Sequence, residues 1–320
     1  MNRSTLRRAV APAAIVLSLS LALTACGDDD DAGSGSDGES VSGSVVIDGS
    51  STVFPLTSAA AELFQEENPD VQVSVGTSGT GGGFEKFCAG ETDISDASRL
   101  IDEDETRTCE ENQVEFAQLD VANDALTVIV NTDNDWAECL TTEQLATIWG
   151  PDSTVASWNE VDPSFPNEPI TLFGPGTDSG TFDYFTAEIN GEEGASRTDF
   201  QGSEDDNVIV QGVSGSTGAM GYLGYTYYQE NEDTLKAVEV DSGSGCVAPS
   251  ADTVQDETYT PLGRQLFIYP SKQALEKAQV NAFVNFYIEN IDEIVEAAGF
   301  IPLNDAQKET LQSEFEALQG

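Results

Sequence analysis

Histidine is missing from all 320 residues, and only 12 lysines and arginines stand against 58 aspartates and glutamates. Without histidine there is no Ser-His-Asp or Cys-His nucleophile, no histidine-held metal, and no side chain whose ordinary pKa suits it to general base work at neutral pH. The formal charge of −46 excludes a nucleic-acid partner, because phosphate backbones need a basic footprint. No Cys-x-x-Cys pair occurs, so zinc lacks its usual spacing, and no lysine follows a glycine, so there is no Walker-type phosphate loop. Neither a metal, a cofactor nor catalysis is expected.

The long apolar runs are also few, and the first belongs to a leader. Arg3, Arg7 and Arg8 precede the apolar stretch Ala9 to Ala22, and Leu23-Thr24-Ala25-Cys26 follows. About fourteen apolar residues are too few for a span, which needs roughly 20. Residues 1–25 therefore read as a signal peptide, and Leu-Thr-Ala-Cys is similar to a bacterial lipobox, which implies acylation of Cys26 and anchoring at the outer face of the cell membrane. Residues 26–43 follow as a lipidated cysteine and an acidic, glycine-rich tether that cannot repay the entropy of ordering. Removal of the leader leaves nine basic side chains against 58 acidic ones. A surface so acidic suits concentrated salt, where screening mutes self-repulsion.

Beyond Cys26 the cysteines number four, Cys88, Cys109, Cys139 and Cys246, an even set in an exported chain, and disulfides are expected. Their pairing depends on the domains. Strand, turn and helix patterns repeat through Val45–Asp48, Pro55–Glu67, Val71–Val75, Phe84–Ala89 and Thr92–Ala97, which is an α/β lobe. Val114–Leu119 and Ala125–Val130 read as two β-rich segments crossing to a second α/β lobe. That lobe includes Ile170–Phe173, the glycine-rich 212–224 and Lys236–Val240. Gln265–Tyr269 leads back into two long helical patterns, Gln273–Ala298 and Asp305–Leu318, the second capped by Asn304 with Gln307. The reading is a hinged two-lobe α/β protein, with crossings near 120–125 and 262–265. Lobe 1 comprises 44–122 plus 264–320, and lobe 2 comprises 123–263. Pairing Cys88 with Cys109 and Cys139 with Cys246 keeps each disulfide inside one lobe; either alternative would staple the lobes together.

Three segments share one design, a strand running into small hydroxylated residues and then a helix. They are Gly49-Ser50-Ser51-Thr52-Val53, Ser78-Gly79-Thr80-Gly81-Gly82 and Thr177-Asp178-Ser179-Gly180-Thr181. Each helix start carries about half a positive charge and unpaired N–H groups, so three of them gathered in one crevice form an anion site without surplus basic residues.

The stretches "GSSTVFPL", "SGTGGGF", "TDISDASR", "GTDSGTFDYF" and "STGAMGYLGY", in this order and spacing, resemble the phosphate-binding lipoproteins of bacterial phosphate ABC transporters, type II periplasmic binding proteins. The resemblance runs from about Ser44 to the end, "AFVNFYIEN" and "GFIPL" included. It implies a Venus-flytrap fold with central mixed sheets and a two-strand hinge, acting as a monomer that delivers inorganic phosphate to permease subunits. It also implies contacts from Thr52 and Val53 in the first loop, Thr80 in the second, and Ser179, Gly180 and Thr181 in the third, with Ser51 and Ser78 flanking them. Two positions depart from the family. Pro175 stands where those proteins place an arginine, and Ser98 stands where they place the aspartate that accepts the phosphate proton. Arg99 is the expected substitute cation, and Asp178 and Asp96 are the candidate acceptors. Sulfate, an oxometalate or a phosphate ester in the same fold, or a surface sensor or adhesin without transport, are the alternative readings.

Overall fold

The structure, a computed structural model, describes residues 41–177 and 179–320. The leader, Cys26, nearly all of the tether and Asp178 lie outside the described residues.

The first half runs β1 (Gly43–Gly49), α1 (Phe54–Glu67), β2 (Val71–Gly76), α2 (Gly79–Cys88), β3 (Ile94–Ala97), α3 (Glu103–Glu111) and the long β4 (Leu119–Asn131). Next come β5 (Cys139–Thr141), α4 (Thr142–Trp149), α5 (Trp158–Val161), β6 (Thr171–Pro175), α6 (Gly180–Asn190), β7 (Gln201–Ser203), α7 (Asp206–Ser214) and β8 (Ala219–Gly224). The chain continues through α8 (Tyr225–Glu230), β9 (Leu235–Ala237), β10 (Glu239–Asp241), β11 (Cys246–Val247) and α9 (Ala251–Gln255). It returns along β12 (Gly263–Pro270) and ends in α10 (Lys272–Leu275), α11 (Ala278–Glu289), α12 (Ile291–Ala298) and α13 (Asp305–Gln319).

Among the described strands, one mixed sheet has the order β2-β1-β3-β12-β4-β8-β6-β7, with β9 also on β4. β1 lies parallel to β2 and β3, and β6 parallel to β8 and β7, whereas β12 and β8 run antiparallel to β4. The expected crossings near 120–125 and 262–265 are β4 and the start of β12, paired antiparallel; Ala125–Val130 lies in β4, whereas of Val114–Leu119 only Leu119 does. The first half of β4 pairs with β12 and its second half with β8, so a single sheet passes between the lobes where separate sheets were expected. The polar residues that break the apolar pattern are buried and partnered in place: Asn123 exchanges amide hydrogen bonds with Gln307, and Asp124 meets Arg264.

Two hydrophobic cores flank this crossing. One gathers Val45, Ile47, Leu56 and Phe64 with Leu266, Phe283, Ile294, Leu311 and Phe315. The C-terminal helices thus bury their apolar stripes on the first lobe, as the small size of that lobe requires. The other packs Leu126 and Val128 with Trp149, Trp158, Phe185 and Tyr222, the last two stacked at 3.8 Å. Asn304 caps α13 in a capping box with Gln307. The disulfides are Cys88–Cys109, joining α2 to the end of α3, and Cys139–Cys246, within the small β11-β10-β5 sheet. Among the described residues the only grouping of metal-ligand type is Cys139, Glu239 and Cys246, and its sulfurs are bonded to each other.

α2 starts earlier than its sequence suggests. Gly79 to Gly83 read as a loop, yet they form its first turns. The reason is space: a Cβ on Gly83 would sit 2.6 Å from the Cα of Gly49 and 2.9 Å from Oγ of Ser95. Glycine's poor helix propensity, about 1 kcal/mol below alanine, is outweighed by the close helix-to-strand approach it permits. Gly83→Val is expected to lower the unfolding free energy by about 3 kcal/mol in denaturant melts, because the contact is with backbone that cannot rotate away. Gly83→Ala recovers the propensity difference and should lose less.

Candidate functional site

The carboxyl ends of β1, β2 and β3 open on one side of the sheet, and β6 brings a fourth loop from the second lobe. Between them lies a cavity of about 600 Å³ lined by Ser50, Ser51, Thr52, Thr77, Ser78, Gly79, Thr80, Gly81, Ser98, Arg99, Gly180 and Arg264, with Asp183, Tyr184, Ala187, Glu188 and Glu193 along the α6 side. Seven of the residues expected from sequence meet there: Ser51, Thr52, Ser78, Thr80, Ser98, Arg99 and Gly180.

Each loop is held by its own strand. Ser50 donates its N–H to the carbonyl of Asp96 on β3, and its buried hydroxyl accepts from the N–H of Thr52. Asp48, at the end of β1, accepts from both the N–H and the hydroxyl of Ser78 and from Lys86. Partial burial pushes the Asp48 carboxyl up, but the Lys86 and Ser78 hydrogen bonds outweigh it and hold the group below its ordinary range. Thr80 and Ser98 share a hydroxyl contact of 3.2 Å, and the Ser98 N–H donates to Thr80 Oγ1. Neither α1 nor α2 has a side-chain N-cap, and the first turn of α2, Gly79 to Gly81, lines the cavity. Their first-turn N–H groups and the positive ends of their dipoles are not neutralised by their own side chains.

The structure places several of the expected residues away from the cavity or with their donors engaged. The N–H of Thr52 is engaged by Ser50, which leaves its hydroxyl as the group to offer. Both donors of Ser78 are held by Asp48, so this residue positions α2 and does not face an anion freely. Val53 does not line the cavity; its side chain is buried in the first core. Ser179 caps α6 by accepting from the N–H of Thr181, and Thr181 lines a separate cavity of about 120 Å³ beside Asp124 and Asp206. Gly180 is the closest point of the third loop. A Cβ there would lie 2.8 Å from Thr52 Oγ1 and 3.4 Å from Ser51 Oγ, so the α6 terminus touches the first loop across the cleft. Asp96, offered as an acceptor, is fully buried behind the loop and does not reach the cavity.

The cations divide differently from the sequence reading. Arg99 lines the cavity, but its fork is committed to Glu105 in two 2.8 Å hydrogen bonds and to the carbonyl of Leu100. The Glu105 hydrogen bond is the main reason its pKa is raised further. Arg264, missed from sequence, lies in the wall with its side chain only 13% exposed. It donates from Nε to Asp124 and from Nη2 to Thr52 Oγ1, each at 3.0 Å, and its guanidinium lies 3.6 Å from the ring centre of Tyr184. A signal was present: Arg264 is one of four arginines after the leader and sits in the expected 262–265 crossing. Burial raises the Glu188 carboxyl above its ordinary range, and the charge of Arg264 pulls it back.

The sequence profile of the PBP superfamily domain matches residues 34–290. Protein SphX of Synechococcus elongatus is 47% identical over 81% of this chain and 77% of its own length. The phosphate-binding protein PstS of Staphylococcus saprophyticus is 38% identical over 87% of this chain and 86% of its own. Among solved structures, a possible phosphate binding protein from Planctomyces limnophilus superposes with a TM-score of 0.85 at 45% identity, covering 88% of this chain and 100% of that one. Profile, relatives and architecture agree, and the chain belongs to the PBP superfamily, among relatives that include the PstS phosphate-binding proteins.

Proposed function

We propose that the chain is an extracytoplasmic receptor that captures inorganic phosphate between its lobes and delivers it to an ABC-type permease, without catalysing a reaction. One observation carries the reading: the start of α2, which has no side-chain cap, converges with the hydroxyls of Thr52, Thr80 and Ser98 and the backbone of Gly180 on one cavity. This is a donor-rich setting for a small oxyanion. Similarity to the PstS phosphate-binding proteins and to the possible phosphate binding protein of Planctomyces limnophilus supports phosphate as that oxyanion. In this reading the lobes are 44–122 plus 264–320 and 123–263, a division that most of each core supports, although Ile301 packs with the second core. Closure requires only that the anion contact the closed state better than the open one. Export by the leader, acylation at Cys26 and action as a monomer complete the proposal. Among the described residues no helix is long and apolar enough to cross a membrane, so in this reading the lipid supplies the attachment.

Titration calorimetry of the folded protein in saline buffer tests the reading directly. Phosphate is expected to bind tightly and sulfate weakly; absence of heat with millimolar phosphate would reject the function, and equal binding would reject the specificity. The strongly acidic surface adds a kinetic expectation. Repulsion slows an approaching anion, so the association rate should rise with added salt, and a rate that falls would contradict it.

A further inference from the structure

Arg264 opens β12 opposite Asp124 on β4, at the strand pair that joins the lobes. It touches both sides of the cleft, Thr52 of the first loop by hydrogen bond and Tyr184 of α6 by stacking, and Tyr184 is itself fixed through its hydroxyl to the carbonyl of Pro261 at 2.6 Å. The ring clamps the guanidinium plane, and Asp124 clamps one edge. A guanidinium has five N–H donors. Nε donates to Asp124, whose Oδ2 also lies 3.0 Å from Nη2, and Nη2 donates to Thr52, while Nη1 makes no hydrogen bond among the described residues. Arg99, the other cation of the wall, has both Nη1 hydrogens and one Nη2 hydrogen engaged and is about half exposed.

From this contrast we infer that Arg264 is the charged ligand of the bound anion, supplied by the hinge strand in place of a cation on the third loop. The inference rests on the phosphate reading. The fork is pre-aimed, so little rotamer entropy is lost when an oxygen reaches it, and charge-assisted hydrogen bonds are about twice as strong as neutral ones. Asp124 then plays a double part. It holds the guanidinium in place but competes with the anion for its charge.

That competition gives the test its sign. Phosphate affinity would be measured by calorimetry on the full folded protein for Arg264→Gln, Arg264→Lys, Asp124→Asn and the neutral double variant R264Q/D124N. Arg264→Gln should weaken binding by about 30-fold and Arg264→Lys by less. Asp124→Asn should tighten it about threefold, because the carboxylate no longer competes. A merely structural strand tie would make Asp124→Asn neutral or weaker. If Arg264→Gln leaves Asp124 buried and unpaired and fails to fold, the double variant keeps the pair neutral, and it should still lose about 30-fold. Unchanged affinity in a folded Arg264→Gln or double variant overturns the assignment, and so does weakening in Asp124→Asn. Failure of the unsubstituted protein to bind phosphate would instead strike the functional reading, and the two failures are distinct.

Discussion

The unfolding free energy is expected to fall by about 4–5 kcal/mol when the Cys139–Cys246 bridge is removed by serine substitution at both positions. The bridge closes a loop of 107 residues, against 21 for Cys88–Cys109. In the chain-entropy account, cross-linking restricts the unfolded chain by about 4.7 kcal/mol for a loop near 100 residues and about 3 kcal/mol for one near 15. Exposure separates the pair again. Cys246 is exposed, whereas Cys88 and Cys109 are 1% and 0% accessible. Moderate dithiothreitol should therefore open the long bridge first, because a thiolate must reach a sulfur to exchange with it. Phosphate affinity should change little, since no residue of the β11-β10-β5 sheet lines the cavity. Denaturant melts of the doubly substituted protein, with Cys88–Cys109 intact, give the number. A loss under about 1 kcal/mol would mean that the unfolded chain is already restricted without the bridge.

Legibility followed locality. The capping box at Asn304, the helix start beside Ser179 and the short strands of the first lobe depend on a few adjacent residues, and each was readable in the sequence. The disulfide pairing was readable at one remove, because keeping the lobes free to move left a single arrangement. What escaped depended on contacts distant in sequence. Five residues dominated by glycine spell a loop unless Gly49 is known to press against them. Asp120, Asn123 and Asp124 spell a break in β4 unless Gln307 and Arg264 are known to lie opposite. The apolar pattern of Gln273–Ala298 spells one helix, but the chain turns out of helix at Lys277, with φ −81° and ψ 120°, where the ammonium reaches Asp93. It breaks again at Asn290, which leaves helical dihedrals at φ −109° and ψ 20° and donates both its backbone N–H and its side-chain amide to the carbonyl of Phe286. The site followed the same rule. Its hydroxyls lie in recognisable loops, while its second arginine comes from a strand and becomes visible only when the sheet closes.

Asp96 sets a second large effect, and its direction is unusual for a carboxylate. The side chain is wholly buried on β3 behind the first loop, and neither carboxyl oxygen has a hydrogen-bond partner. Burial pushes its pKa up to about 8; the Thr57 hydroxyl alongside offsets part of that rise, and the negative charge of Asp48 adds to it. Tyr287, the other titratable group beside it, is pushed higher still by its own burial and remains neutral. In the unfolded chain the group titrates near 3.8. Below about pH 4 both states hold the proton and Asp96 has no effect on pH dependence. Between about 4 and 8 only the unfolded chain releases it, so stability falls with rising pH by up to about 1.4 kcal/mol per unit, and beyond about 8 the loss is complete. Asp96→Asn removes this titration while keeping shape and polarity. Its stability should be nearly level from pH 5 to pH 9, apart from contributions shared with the unsubstituted protein, and the two curves should draw together or cross as pH rises. The expected difference between pH 5 and pH 9 amounts to several kcal/mol, on the order of three units of slope. Parallel curves over that range would mean that the carboxyl ionises without cost where it lies, and the wall behind the first loop would have to be wetter than its burial implies.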